Sequence, residues 1–308
     1  MEIPGFDPAR AKAFVLEYPD PKVRDFVTLL YLRDIEGLDI ADSVFLAQQE
    51  KLLPHLEGTW RWLAQNSRRI YALGEAVAFF GYLGLNGTLI PQLVETIDFT
   101  FRALPQDDGV FNASGGRKPK CANTAFLNGV LALGFTEHPA VKTACFDYLS
   151  FIEGAEGECP VRTDETPCAY VMVKTLHWLN KFPTNWRTSQ YQRVLENVQN
   201  FLLFYNLSEA DFPRSRPRPN TNWFKFGYFR SFQASIFEAA EALAVSGVKR
   251  HPELSKTLRV IGDRCVDGVT WKPQYIRKVW PLQLETRQRG KGTGSPWLTL
   301  RGLRITKG

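Results

Sequence analysis

Apolar residues recur at intervals of three and four positions through eight segments of this chain, and Gly, Pro, Asn or Asp bounds each segment. This spacing places the apolar side chains on one face of an α-helix. No segment shows a convincing alternation of apolar and polar residues, which is the pattern of a half-buried strand. The chain is therefore predicted to be mostly helical.

The predicted helices come in pairs, and the loops that follow the second members resemble one another. These loops are LEGTW, QDDGVF, AEGEC and VDGVTW, and their glycines Gly58, Gly109, Gly157 and Gly268 are 51, 48 and 111 positions apart. The last interval is close to twice the others, so we expect a degenerate copy of the loop in LSEADFPRS. A helical hairpin repeated at this period cannot bury its apolar face alone and must stack on its neighbours.

The composition is that of a soluble globular protein, with 44% apolar and 23% charged residues among 308. Neither a signal peptide nor an apolar stretch of membrane-spanning length is found, which favours a cytoplasmic location and leaves peripheral membrane contact open. The five cysteines are an odd number and are scattered along the chain. Free thiols or metal ligands are therefore expected rather than a disulfide framework.

The net charge of +6 is concentrated in two places. From Arg277 to Lys307, basic residues face one acid, Glu285. The second concentration lies in RPRPNTNWFKFGYFR, where the candidate anion-binding residues are Arg214, Arg216, Arg218 and Lys225. A solvated surface and a site for an anionic small molecule both explain such runs. Nucleic acid is not expected, because the basic residues do not follow one amphipathic helix.

Two of the cysteines stand in GECPVRTDETPCAY, residues 157–170. Thr166 followed by Pro167 is typical of an N-cap and the first helical position, which predicts Cys168 in the first turn of a helix. The helix dipole and amide donors favour a thiolate there. Cys121 occupies the matching place 47 residues earlier, and Cys159 replaces the aromatic residue of the other loops.

Cys121, Cys159 and Cys168 are therefore candidate zinc ligands, with a fourth position left for water, a carboxylate or a substrate. Asp164 and Glu165 lie beside Cys168 and are candidates to complete the coordination or to act as a base on bound water. The alternative is that the three thiols are simply buried. His177 follows Cys168 by nine residues, which places it on the opposite side of the same helix as a packed or hydrogen-bonded histidine.

QDDGVF resembles the Gln-x-x-Gly-x-aromatic loop of the squalene/hopene cyclase and protein prenyltransferase superfamily. The helix pairs, together with GSPWLTLRGLRITK, resemble bacterial prenyltransferase/squalene-oxidase-repeat proteins. The resemblance covers roughly residues 55–307. It implies an all-α fold in which residues 55–308 form an α/α toroid of inner and outer helices around a cavity. Residues 1–54 are predicted to form a small helical cap before it.

The resemblance also implies a function. GECPVRTDETPCAY partly resembles the zinc loop of prenyltransferase β subunits, which implies a place at the site for Cys159, Asp164, Cys168 and the candidate substrate-binding Tyr170. The implied protein is an enzyme that acts on a lipophilic substrate such as an isoprenoid diphosphate, with a Cys-ligated zinc at the toroid mouth. Two alternatives stay open. One is a non-catalytic toroid that binds a peptide or lipid, and the other is a zinc-thiolate transferase or lyase unrelated to terpenes.

Overall fold

The computed structural model describes residues 1–66, 70–107, 109–112, 121–154, 168–212, 221–227, 233–274 and 294–308. Helices dominate this part of the chain, and the all-α prediction is confirmed. The α-helices are α1 Pro8–Leu16, α2 Pro21–Tyr31, α3 Ser43–Glu50, α4 Leu53–Asn66, α5 Ile70–Leu83, α6 Pro91–Ala103, α7 Cys121–Ala132, α8 Pro139–Gly154, α9 Ala169–Leu179, α10 Ser189–Phe204, α11 Ile236–Val245, α12 Pro252–Gly262 and α13 Pro296–Lys307. A π-helical turn, Leu32–Glu36, continues α2. Within the described ranges no helix is long and apolar enough to cross a membrane.

The helices fall into two classes by burial. In α11 every residue except Val245 is buried, and α9 and α13 are nearly as enclosed. By contrast, α10 buries only Tyr191, Val194, Val198 and Leu202, which follow one face at intervals of three and four. A helix that is buried on all sides lies inside a fold, whereas an amphipathic helix covers its surface.

The inner helices, which we define as α2, α5, α7, α9, α11 and α13, contact one another in cyclic order. Packing runs from α5 to α7, α9, α11 and α13, then from α13 to α2 and from α2 back to α5. The helices that follow four of them pack on the outside: α6 on α5, α8 on α7, α10 on α9 and α12 on α11. From α5 to α13, one outer helix therefore separates each inner helix from the next along the chain.

The first and last helices meet where the cyclic order closes. Helix α1 packs on α13, and the Phe6 ring lies 5.0 Å from the Trp271 ring, centroid to centroid. The backbone N–H of Asp7 donates to the carbonyl oxygen of Gly268 over 2.7 Å. Residue 54 lies within α4, and one hydrophobic core includes helices on both sides of it. The assignment of residues 1–54 to a separate cap stays a prediction.

Three loops before inner helices share one construction, a tight turn closed by antiparallel backbone pairing and followed by a buried aromatic residue. The first is the hairpin of β1 Gln106–Asp107 and β2 Val110–Phe111, with Gly109 at φ +80°. The second pairs Asn206 with Asp211 and precedes Phe212. The third pairs Val266 with Thr270 and precedes Trp271. The degenerate copy expected in LSEADFPRS is therefore confirmed.

Of the other two expected loops, AEGEC lies outside the described residues and LEGTW is wrong. LEGTW lies inside α4, so Gly58 and Trp60 are helical residues. An interior glycine costs a helix only about 1 kcal/mol relative to alanine. The Trp60 ring offsets this cost by stacking on Phe80 of α5, with the ring centroids 4.9 Å apart.

Candidate functional site

The inner helices enclose a cavity of about 450 Å³. Each inner helix from α5 onward contributes residues three or four positions apart, the spacing that turns side chains to one face. The stripes are Ala78, Gly81 and Tyr82 on α5; Ala125, Asn128 and Ala132 on α7; Lys174, His177 and Lys181 on and just after α9; Glu238, Glu241 and Val245 on α11; and Arg301, Arg304 and Lys307 on α13. Arg33 and Asp34 of the π-helical turn, Asn180 after α9 and Gly308 after α13 complete the lining.

One wall of the cavity consists of small residues. Gly81 of α5 lies so close to Gly129 of α7 that a Cβ added at Gly81 would sit 2.4 Å from the Gly129 Cα atom. The two helices can approach this closely only because both positions lack side chains. Ala78 and Ala125 continue this wall, which leaves apolar space beside the charged residues opposite.

The opposite wall carries a buried network of ion pairs centred on Glu241. Arg301 Nε lies 2.6 Å from one carboxylate oxygen of Glu241, and Arg304 Nη1 donates to the other over 2.9 Å. Lys174 Nζ donates to Glu238 over 2.8 Å. Arg301 is only 1% exposed, so these pairs are shielded from bulk water. Burial raises the pKa of Glu241, but Arg301 and Arg304 outweigh it and hold the pKa below its usual range.

A second carboxylate, Asp34, continues the network. Arg33 Nε donates to Asp34 over 2.7 Å, and Arg304 forms an ion pair with the same carboxylate. Burial raises the pKa of Asp34, but Arg304 and Arg33 more than compensate and hold it well below its usual range. Lys307 Nζ donates to the backbone oxygen of Asp34 over 3.0 Å. Arg304 therefore connects α11, α13 and the π-helical turn.

Positive charge exceeds negative charge around the cavity. Six basic side chains of the described lining face three carboxylates. The basic residues are Arg33, Lys174, Lys181, Arg301, Arg304 and Lys307, and the acids are Asp34, Glu238 and Glu241. Lys181 and Lys307 are exposed, whereas the other four basic side chains are buried or half-buried. A cleft lined by an excess of one sign of charge concentrates ions of the opposite sign.

Two titratable groups of the cavity are shifted toward their neutral forms. Burial lowers the pKa of His177 to about 4, although Glu241 and Glu238 act in the opposite direction. Burial, reinforced by Arg33, lowers the pKa of Lys181 to about 8. Lys181 lines the cavity but is exposed, so water around its ammonium group moderates this effect of burial. Perturbed pKa values of this kind cluster at functional sites.

Tyr82 supplies a hydroxyl group on the same wall as the arginines. Arg301 Nη2 donates to the Tyr82 hydroxyl oxygen over 3.3 Å. Burial raises the pKa of Tyr82 to about 12, despite the nearby Arg301 and Arg304. The phenol therefore stays protonated at neutral pH and can donate its proton in a hydrogen bond to an acceptor.

Most of the predicted site residues lie outside the described part of the chain. This holds for Cys159, Asp164, Glu165, Arg214, Arg216 and Arg218, and for the side chain of Cys121. In the ranges that the structure describes, no group of three His, Cys, Asp or Glu residues is arranged to hold a metal ion. The zinc site stays a prediction, because two of its three thiols are not described.

Cys168 is the N-cap residue of α9 and not a first-turn residue, since the helix begins at Ala169. Its neighbour in the prediction, Cys121, begins α7, and α7 packs against α9 as expected. Tyr170 packs on Trp223, with ring centroids 6.0 Å apart, and the exposed Lys225 donates to Asn222 over 3.0 Å. These residues lie at or near the beginning of α9 or in the segment before α11. The cavity lining on α9 lies further along the helix.

The charged cavity contains residues that no sequence pattern singled out as a site. His177, expected to be packed or hydrogen-bonded, lines the cavity and makes no hydrogen bond within the described ranges. Arg301, one of the basic residues of the C-terminal excess, is fully enclosed. The available signal was a pair of charged residues three apart in an otherwise apolar helix, as in Glu238 and Glu241 of IFEAAEALAV.

No known protein-family model matches this chain, and no curated protein or solved structure matches it either. The resemblance to terpenoid cyclases and prenyltransferases therefore stays a prediction.

The lowered pKa of His177 predicts a loss of stability in mild acid. Between pH 6.5 and about pH 4, His177 is protonated in the unfolded chain but neutral in the folded chain. The free energy of unfolding therefore falls as the pH falls through this window. We expect His177→Gln to remove up to about 2 kcal/mol of the loss between about pH 7 and about pH 5. Urea unfolding of the variant and of the unmodified protein at both pH values measures this difference in the free energy of unfolding. His55→Gln, at an exposed position, is the control and should leave the loss unchanged.

Proposed function

We propose that the chain forms an α/α toroid whose central cavity binds a small organic anion. The cyclic order of contacts among the inner helices supports the toroid. The observation that carries the function is the excess of basic side chains around the cavity, six against three carboxylates in the described lining. The buried cations are paired, Lys174 with Glu238 and Arg301 with Glu241, because an unpaired buried charge is costly. The exposed Lys181 and Lys307 add positive charge that the carboxylates of the lining do not balance, and this charge attracts an anion.

The proposed anion carries a phosphate, diphosphate or carboxylate group beside a compact apolar part. Arginine forks pair with such groups through two parallel hydrogen bonds. The wall of Ala78, Gly81 and Ala125 offers apolar space opposite the charges. A volume of about 450 Å³ lies in the range of small-molecule sites. An isoprenoid diphosphate, the substrate that the family resemblance predicts, belongs to this chemical class.

We propose further that the chain is an enzyme rather than a passive binder. Near pH 7 the His177 side chain is neutral and about one Lys181 amine in ten is neutral, so both groups can take part in proton transfer in the cavity. Tyr82 adds a protonated donor. The zinc predicted at the cysteines would act at the other end of the inner helices, and the binding of a peptide or lipid is the competing function.

Isothermal titration calorimetry with inorganic pyrophosphate and with geranyl diphosphate tests the proposal. We expect both to bind in a salt-sensitive way, and Lys181→Met or Lys307→Met to weaken binding about tenfold. Lys249→Met removes an exposed lysine outside the cavity lining and should leave binding unchanged. Tighter binding of geranyl diphosphate than of pyrophosphate supports the isoprenoid class. Absence of binding to either, or equal effects of all three variants, contradicts the anion site.

A further inference from the structure

Asn128 is the polar residue in the stripe that α7 contributes to the cavity. The stripe consists of Ala125, Asn128 and Ala132, so an amide group interrupts an otherwise apolar wall. Its oxygen, Oδ1, is buried, and the amide forms no hydrogen bond with any residue that the structure describes. Folded proteins pair nearly all of their buried polar atoms, because an unpaired one is costly. A molecule bound in the cavity can supply the partner that the described residues do not.

Two other asparagines, one on the same helix and one in the same lining, are paired. Asn123 of α7 donates from Nδ2 to the Phe111 carbonyl oxygen over 2.6 Å. Asn180, which lines the cavity after α9, donates to the Ala242 carbonyl oxygen of α11 over 3.0 Å. These contacts between segments explain both amides structurally. Asn128 makes no such contact, and asparagine is a poorer helix former than alanine, so helix propensity does not favour it there either.

His177 places a second neutral polar group beside Asn128. It lies in the middle of the α9 stripe, as Asn128 lies in the middle of the α7 stripe, and the two helices pack against each other. Its imidazole makes no hydrogen bond within the described ranges, and burial lowers its pKa to about 4, so it is neutral near pH 7. A neutral imidazole has one donor and one acceptor nitrogen. Together the two side chains offer donors and acceptors without charge.

We infer that the anion bound in the cavity carries a hydroxyl group, which pairs with the Asn128 amide and the His177 imidazole. The inference rests on the proposed anion site and narrows its ligand to a hydroxylated organic anion, such as a polyol phosphate. A hydroxyl group both donates and accepts hydrogen bonds, as these two side chains do. Rotation of the amide about its Cβ–Cγ bond, a soft torsion in asparagine, can turn Oδ1 toward the cavity.

The charge around the cavity argues against a cationic donor in place of the hydroxyl group. The basic side chains of the described lining outnumber the carboxylates, and they repel an ammonium group. An anion without a hydroxyl group would displace water from Asn128 and leave the amide unpaired. Sites that hydrogen-bond a hydroxyl group reject analogues that lack it. The inference therefore separates hydroxylated anions from isoprenoid diphosphates, whose hydrocarbon chains carry no such group.

Isothermal titration calorimetry of the full chain with glycerol 3-phosphate and n-propyl phosphate tests the inference. The two anions share a phosphate group and a three-carbon chain, and only the first carries hydroxyl groups. We expect glycerol 3-phosphate to bind at least about tenfold more tightly to the unmodified protein. Asn128→Leu keeps the approximate volume but removes the amide, so it should weaken glycerol 3-phosphate binding about tenfold and leave propyl phosphate binding unchanged.

Asn128→Ala, which matches the alanines of the stripe, should have the same effect and serves if the leucine variant does not fold. His177→Leu should reduce the preference for glycerol 3-phosphate as well. Asn197→Leu is the matched control, because Asn197 is exposed on α10 and lies outside the cavity lining, and it should keep the full preference.

Lys181→Met separates this inference from the proposed function. It removes only positive charge, so it should weaken both phosphates by the same factor and leave the preference unchanged. Equal binding of the two phosphates by the unmodified protein, or a preference that survives in both Asn128 variants, overturns the inference while the anion site stands. Binding of pyrophosphate but of neither phosphate also overturns the inference alone. Binding of none of the three anions overturns the inference and the anion site together.

Discussion

Replacing Glu241 with Gln should lower the free energy of unfolding by about 3–5 kcal/mol. Glu241 is 4% exposed and is the shared partner of Arg301 and Arg304. The amide keeps the shape but removes the negative charge, which leaves two enclosed guanidinium groups without their common counter-ion. Breaking a buried pair from one side costs more than the pair itself contributes, because a desolvated charge remains.

Urea or thermal unfolding at neutral pH measures this effect, and Glu57→Gln is the matched control. Glu57 pairs with Arg61 at 3.7 Å on the surface, where both side chains are more than 70% exposed, so its loss should cost less than about 0.5 kcal/mol. If the cavity binds anions, pyrophosphate should recover more stability in Glu241→Gln than in the unmodified protein. Equal costs for the two substitutions would contradict the ion network described above.

Gly81→Ala should lower the free energy of unfolding by an amount similar to that of Glu241→Gln, although alanine is the better helix former. The added Cβ would lie 2.4 Å from the Cα atom of Gly129 and 2.5 Å from its carbonyl oxygen, and backbone cannot move aside as a flexible side chain does. The gain in helix propensity is about 1 kcal/mol, whereas forcing α5 from α7 should cost about 3 kcal/mol or more. The displaced helices would also change the wall of the cavity.

Gly154→Ala is the control for this substitution. Gly154 ends α8, and a Cβ added there meets no atom within 4 Å. Alanine should be neutral or slightly stabilising at this site because it restricts the unfolded chain. A melting temperature of Gly81→Ala equal to that of Gly154→Ala would show that α5 and α7 do not cross at Gly81 and Gly129.

The helical class and the repeated loops could be predicted because both depend on local sequence. Apolar periodicity defines α10 and α12, and a turn followed by an aromatic residue recurs at Phe111, Phe212 and Trp271. LEGTW failed because its glycine lies in a segment whose periodicity and packing through Trp60 favour a continuous helix. A single glycine cannot end a helix when the flanking residues continue it.

The cavity could not be predicted from local sequence. Glu241, Arg304 and Asp34 are far apart in the chain, and only the cyclic packing of the inner helices brings them together. Arg304 in RGLRITK looks like one more basic residue of a charged terminus until α13 is known to be enclosed. The sequence drew attention to cysteines and to an arginine-rich loop, which the described part of the chain leaves largely untested.

Titration of the four histidines by NMR, with and without pyrophosphate, tests the central claim most directly. An anion bound in the cavity adds negative charge beside His177 and should raise its pKa from about 4 toward its ordinary range. His55, His138 and His251 do not line the cavity and serve as internal references. A rise confined to His177, lost in Lys181→Met at the same pyrophosphate concentration, is the result that the account predicts. Binding of pyrophosphate that leaves the His177 pKa unchanged would place the anion elsewhere and contradict it.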